Sequence, residues 1–222
     1  MKNPAAGGGR WVEVAPGRFA MWVTEFALRH GGAGPVTREN AATVSFGAAD
    51  GSIAECHPPF PPLPALLEDT AAWPGAIAAH AAADRTVGVL LVRLGGYAVG
   101  VFAGEPPVLV SSKTGSRQVH GRSAAGGWSQ HRFARRREKQ VNEALGATAD
   151  AAMKIFGGTA LDAVVLGGDR RAAAALREDP RLIPYLDRAQ ERFLTVPDPR
   201  LAVLRDTPRA FRAIRIRLTE PG

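Results

Sequence analysis

Apolar residues recur along this chain with two periods, one near 3.6 and one of two. In "PGRFAMWVTEFALRHGG", Phe19, Trp22, Val23, Phe26 and Ala27 fall at helical spacing and a glycine pair stops the run. "ATVSFGAADGSIAEC" switches to strand-like runs on either side of Asp50-Gly51, a hairpin signal. The proline-rich "HPPFPPLP" breaks the pattern, and an alanine-rich stretch then predicts a helix from about Leu63 to Ala83. From Thr86 the strands "TVGVLLVRL", "YAVGVFAG" and "PVLVSSKTG" follow, the first two joined by a tight Gly95-Gly96 turn, with "RQVHGR" a candidate fourth. A long helix is expected from about Ser129 to Phe156. "LDAVVLGGDR" reads as a buried strand whose Asp169 caps the helix "RRAAAALRE", and "ERFLTV" as a further strand. In "FRAIRIRL", Ile214, Ile216 and Leu218 alternate with Arg215 and Arg217, a half-buried strand with a basic outer face.

Antiparallel strands followed by helix, strand and helix predict an α/β fold, a mixed β-sheet with helices packed on it. Residues 1–84 read as an N-terminal accessory lobe or layer, with a loose, glycine-rich start over the first ten residues. Residues 85–222 read as the main domain. The 222 residues suffice for one full core with a smaller appended lobe.

Composition narrows the function by exclusion. No apolar run approaches the roughly 18 residues of a membrane span, and "MKNPAAGGGR" lacks the apolar stretch of a signal peptide. Cys56 stands alone, so it forms no internal disulfide, and its ordinary role is a small buried hydrophobe. The expected location is the cytoplasm. There is no Gly-Lys-Ser/Thr phosphate loop, paired-histidine zinc motif or cysteine cluster, so no metal or cofactor is expected. Gly167-Gly168-Asp169 ends a strand where α/β sheets often bind ligands, yet it reads more simply as a strand-to-helix turn.

Charge changes the picture more. The formal net charge is +7, and lysine occurs at only four positions, so arginine carries most of it. Richness in arginine, alanine and glycine has a bland source in codon bias; placement does not. Between Ser111 and Gln140 stand Lys113, Arg117, Arg122, Arg132, Arg135, Arg136, Arg137 and Lys139 against one acid, Glu138. That local excess equals the excess of the whole chain. Clustering of this kind points to a nucleic-acid partner.

The cluster has internal order. Phe133, Arg137, Val141, Leu145, Thr148, Ala152 and Ile155 follow steps of three or four and make a mostly apolar helix face. Arg132, Arg135, Arg136 and Lys139 fall on the other side, where few acids separate them and mutual repulsion asks for an anion. Just ahead lie Gly126-Gly127, which let the backbone approach a partner with no Cβ between. Ser129 is placed to cap the helix, whose first N–H groups suit a phosphate or a developing oxyanion. Gln130 does not titrate and so is no general base, but its amide can donate and accept at once and orient a water. His120 and His131 are acid–base candidates in principle, and equally surface or RNA-contacting residues.

These residues carry a resemblance. A double glycine followed by "SQHRFARRREKQVN" is similar to the catalytic loop and helix of eukaryotic and archaeal class-1 peptide-chain release factors, whose middle domain has Gly-Gly-Gln and then a helix with Arg-Phe-Ala-Arg. It is closer still to the release-factor-like peptidyl-tRNA hydrolases of ribosome-associated quality control, in an actinobacterial branch without ankyrin repeats or zinc finger. The resemblance spans roughly residues 86–218 and is most specific from Gly126 to Gln140. Aligned on Arg132-Phe133-Ala134-Arg135, the release-factor glutamine falls at Trp128. In the quality-control branch the glutamine lies beyond a serine, which Ser129-Gln130 matches.

The resemblance implies the α/β fold of the release-factor middle domain. It implies catalytic roles for Gln130, Gly126 and Gly127, with Trp128 a second claimant. It further implies RNA contacts by Arg122, Arg132, Arg135, Arg136, Arg137 and Lys139. The partners implied are the rRNA of the large ribosomal subunit and peptidyl-tRNA, and the reaction is release of nascent chains from stalled subunits without a metal. Two other readings stand beside it: a nuclease cutting the tRNA acceptor end with the same site, and a ribosome- or RNA-binding module without catalysis.

Overall fold

The computed structural model describes residues 3–4, 8–65, 68–93, 95–116 and 129–221, with the backbone alone for 3–4 and 129–138. Its contacts divide the chain into two compact units, residues 1–83 with 209–222 and residues 84–208. In chain order the first segment holds β1 (Asn3–Pro4), β2 (Arg10–Val14), α1 (Pro16–Arg29), β3 (Ala33–Arg38), β4 (Val44–Ala48), β5 (Ile53–His57) and α2 (Trp73–Ala82). The second unit holds β6 (Val87–Arg93), β7 (Gly96–Ala103), β8 (Val108–Ser116), α3 (Ser129–Phe156), β9 (Ala163–Gly168), α4 (Arg170–Ala175), α5 (Ile183–Leu186) and α6 (Leu201–Arg205). Strand β10 (Ile214–Thr219) then belongs to the first unit.

The first unit is a six-stranded sheet in the order β1-β2-β10-β5-β4-β3. Its apolar face is made by alternation: Val14, Val44, Phe46, Ala54, Cys56, Ile214, Ile216 and Leu218 are buried with Phe19 and Phe26 of α1 and Ile77 of α2. Burial in this apolar layer pushes the Cys56 thiol up, so it stays neutral and inert. The β4–β5 hairpin turns where its sequence predicts: Gly51 takes φ +86° and Asp50 Oδ1 accepts from the Ser52 N–H at 2.9 Å.

Four expectations change here. The strand of "FRAIRIRL" does not join the sheet of residues 85–222: β10 pairs with β2 and β5 of the first unit, because Ile214, Ile216 and Leu218 complete that unit's apolar layer. The first ten residues are not all loose, since Asn3 and Pro4 pair with Trp11 and Arg10. The helix expected from Leu63 shortens to a 3-10 turn, Thr70–Ala72, and α2, with Asp69 accepting from the Ala71 N–H and Pro74 in the first turn of α2. Strand β3 was not expected; it is an edge strand, where Pro35 is tolerated.

The second unit is a four-stranded sheet ordered β8-β7-β6-β9, antiparallel except for the parallel pair β6–β9. It is the expected mixed sheet with packed helices. Strand β6 is buried from Val87 to Val92, as suits a central strand covered on both faces. One face packs on α3 through Ala149, Ala152 and Phe156. Gly88 lets that helix sit on the strand: a Cβ there would come within 2.8 Å of Leu161 and 3.0 Å of Phe156. Asp169 caps α4 as expected, accepting from the Ala172 N–H at 2.8 Å. "ERFLTV" forms no ladder. Ala189 bridges Val164 and Leu194 bridges Gly167, a step of five along one segment against three along the other, so the intervening residues cannot pair in register. The candidate strand "RQVHGR" lies outside the described residues.

Candidate functional site

The predicted site straddles the limit of what is described. Gly126, Gly127 and Arg122, together with Trp128 and His120, lie in 117–128, outside the described residues. Gln130, Arg132, Arg135, Arg136 and Arg137 lie in the first turns of α3, where the backbone is helical. Lys139 is exposed.

Helical register sorts these positions. At 3.6 residues per turn, positions 130, 137, 141 and 148 share one face, and Thr148 on that face is buried. Positions 132, 135, 136 and 139 share the opposite face, with exposed Lys139 and Asp150. The helix backbone therefore separates the position of Gln130 from the basic set.

Packing places the helix against the sheet. Thr148 lines a cavity of about 180 Å³ with Arg93, Gly96, Tyr97, Gly115 and Ser116, at the end of the sheet where β6 stops, β7 starts and β8 stops. Phe156 packs near Gly88, close to the other end of β6. The helix thus runs along the sheet from about Ala144 onward, since Ala144 and Ala147 line the same cavity and Leu145 packs on the core. Its preceding turns, about 22 Å back to Ser129, extend past the sheet end where β8 stops. An ionic clamp holds the packed half: the Arg181 guanidinium donates to Asp150 Oδ1 of α3 at 2.9 Å and to Asp179 Oδ2 at 2.6 Å. Arg181 holds the Asp179 carboxyl below its ordinary range through these hydrogen bonds.

The same sheet end holds residues that the sequence pattern did not single out. A second hollow of about 560 Å³ is lined there by Gly95, Gly96, Thr114, Ser116, Asp198 and Arg200, among others. Arg93 Nη1 lies 3.8 Å from Asp198 Oδ1, and its buried Nε has no hydrogen-bond partner. Arg93 and Arg200 are isolated basic residues in the sequence. The fold alone brings them to one sheet end.

The solvent face of the first unit's sheet is polar and charge-balanced. Glu55 Oε1 lies 2.8 Å from His57 Nε2, Arg217 Nη2 lies 3.2 Å from Glu55 Oε2, and the Arg215 guanidinium stacks on Trp11 at 4.4 Å. Such cross-strand pairs stabilise a sheet face. Among the described residues, no group of three or more His, Cys, Asp and Glu could hold a metal, and no helix is long and apolar enough to cross a membrane.

The family model of the Actinobacteria/chloroflexi VLRF1 release factor matches residues 85–217, more than half of the chain. The chain belongs to this family. The match takes in β6 to β9, the whole of α3 and the segment that precedes it. No curated protein is significantly similar in sequence. Among solved structures, the archaeal translation termination factor aRF1 is similar, with 14% identity and a TM-score of 0.42, over 72% of this chain and 46% of that one. A further archaeal protein has 14% identity and a TM-score of 0.31, over 73% of this chain and 48% of that one. This chain spans about half the length of these solved structures.

Proposed function

We propose that this chain is a peptidyl-tRNA hydrolase that frees nascent chains from stalled large ribosomal subunits in the cytoplasm. The observation that carries the reading is the release-factor family match over residues 85–217, which includes the double glycine and the basic helix. Charge supports it, because the basic excess of the chain is concentrated around this segment.

The chemistry needs few parts. Gly126 and Gly127 admit the ester to close backbone approach, and Gln130 orients a water on the carbonyl carbon. Water adds to that carbon, amide N–H groups stabilise the oxyanion, and the ester C–O bond breaks. The leaving ribose oxygen takes the proton, giving a free peptide carboxyl and tRNA with its terminal hydroxyl. That hydroxyl-bearing ribose also serves as proton relay, so no side-chain base is required. Arg122, Arg132, Arg135, Arg136, Arg137 and Lys139 hold rRNA or tRNA phosphate, and no metal or cofactor takes part.

The test is hydrolysis of peptidyl-tRNA on purified large subunits by the wild-type chain and by Gln130→Ala. Loss of about 100-fold or more, with binding retained, fits removal of a transition-state contact. Unchanged turnover removes Gln130 from the mechanism. A released peptide that still carries nucleotides shows phosphodiester cleavage instead, and no turnover by the wild type leaves a binding module.

A further inference from the structure

We propose that Arg93 and Arg200 form an RNA phosphate-binding site at the sheet end beyond which the basic half of α3 extends. The inference rests on the reading that this chain works on ribosome-bound peptidyl-tRNA. It adds a contact that neither the charge cluster nor the resemblance contains.

Arg93 closes β6, and Gly96 opposite it opens β7. Its nearest carboxylate, on Asp198, lies at 3.8 Å, beyond hydrogen-bond distance, and the Asp198 side chain is 77% exposed. Such a pair is weak and leaves the guanidinium fork open to another acceptor. Its Nε is buried with no acceptor, an unmet donor that a ligand oxygen would satisfy after a small rotation. Arg200 borders the neighbouring hollow, is exposed, and makes no side-chain hydrogen bond or ion pair with any described residue.

The rest of the hollow suits a phosphodiester. Thr114 and Ser116 supply hydroxyl donors, and Gly95, Gly96 and Gly115 keep side chains out of the way of a backbone. Among the described residues at this sheet end, charge is Arg93 and Arg200 against Asp198, a net excess of one. In the first unit's polar hollow, by contrast, Arg217 and His57 lie 3.2 Å and 2.8 Å from Glu55, within hydrogen-bond distance.

Asp198 makes the proposal sharply testable. Among the described residues it is the one anion lining this hollow, so removing its charge should strengthen binding. The probes are vacant large ribosomal subunits and, separately, deacylated tRNA, each titrated with the full chain over a range of salt. Arg93→Gln and Arg200→Gln should each weaken binding several-fold and reduce the slope of log K against log salt by about 1, while Arg93→Lys keeps part of the slope. Asp198→Asn should tighten binding and steepen the slope. The probe that loses affinity, subunit or tRNA, identifies whose phosphate is held.

Wild-type affinity and slope in both glutamine variants, with both probes, overturn the proposal. So does weaker binding in Asp198→Asn, which marks Asp198 as a support for Arg93 rather than a competitor. If Arg93→Gln fails to fold, exposed Arg200 and Asp198 decide alone. Failure of the hydrolytic reading shows separately, as unchanged turnover in Gln130→Ala.

Discussion

Tyr97 lies across Gly115. The two residues pair between β7 and β8, and a Cβ on Gly115 would come within 2.6 Å of the Tyr97 ring. Tyr97 also packs on the core under α3, so a shift of the ring away from an added methyl would disturb that contact. Gly115→Ala should therefore cost about 1–3 kcal/mol, as overpacking does. In the Gly115→Ala background, Tyr97→Ala should cost less than it does alone, with a coupling of about 0.5–3 kcal/mol in a denaturant double-mutant cycle. Equal costs in both backgrounds would show that ring and glycine are independent.

Gly126 and Gly127 give a second prediction. If backbone approach to the ester is why they are glycines, alanine at either should cut peptidyl-tRNA hydrolysis about tenfold or more. Melting behaviour should hardly change, since alanine for glycine removes no side chain. Full activity in both alanine variants would reduce the pair to a loop.

Much of this fold was legible because its signals are local. The limits of α3, the Asp169 cap and the Asp50-Gly51 turn follow from periodicity and from side chains that bond their own backbone. The partner of β10 was not legible. Alternation of Ile214, Ile216 and Leu218 says that one face is buried but not against which sheet, and chain proximity pointed to the wrong one. "ERFLTV" failed for a related reason, since pairing depends on residue spacing in two strands and only one was in view. At the site, the charge cluster was visible because its members are adjacent in sequence. Arg93 and Arg200 stand more than a hundred residues apart, so only the fold places them together.

In the first unit, Asp50 predicts a pH dependence. The Ser52 N–H, and then the His30 ring at 2.8 Å, hold its carboxyl below the ordinary value of 3.8. A carboxyl lowered on folding stabilises the fold above that ordinary value, and the contribution disappears as pH falls through the folded-state value below it. Asp50→Asn keeps an acceptor for the Ser52 N–H but loses the charge facing His30, so it should melt lower at neutral pH. The gap between wild type and variant should close as pH drops below 3.8. Thermal melts from about pH 7 to about pH 2 check this. A gap that stays constant across that range would mean the carboxyl charge contributes nothing.

The basic face of α3 is the part of the site most open to a quantitative test. Positions 132, 135, 136 and 139 share a side of the helix opposite buried Thr148, and Lys139 is exposed. Cations in that arrangement gain little from folding, so they can be removed with little loss of stability. On the proposed reading, binding RNA would release counterions, and that binding would weaken steeply as salt rises. Replacing Arg135, Arg136 and Lys139 together by glutamine should lower affinity for large subunits and reduce the salt slope by about 2–3, close to one per phosphate lost. Melting temperature should stay within a few degrees, and the loss should fall on apparent affinity rather than on turnover at saturation. A triple variant that binds with the wild-type slope would make Arg135, Arg136 and Lys139 solvated surface charges, and the RNA contacts of the helix would have to lie with Arg132 and Arg137 alone.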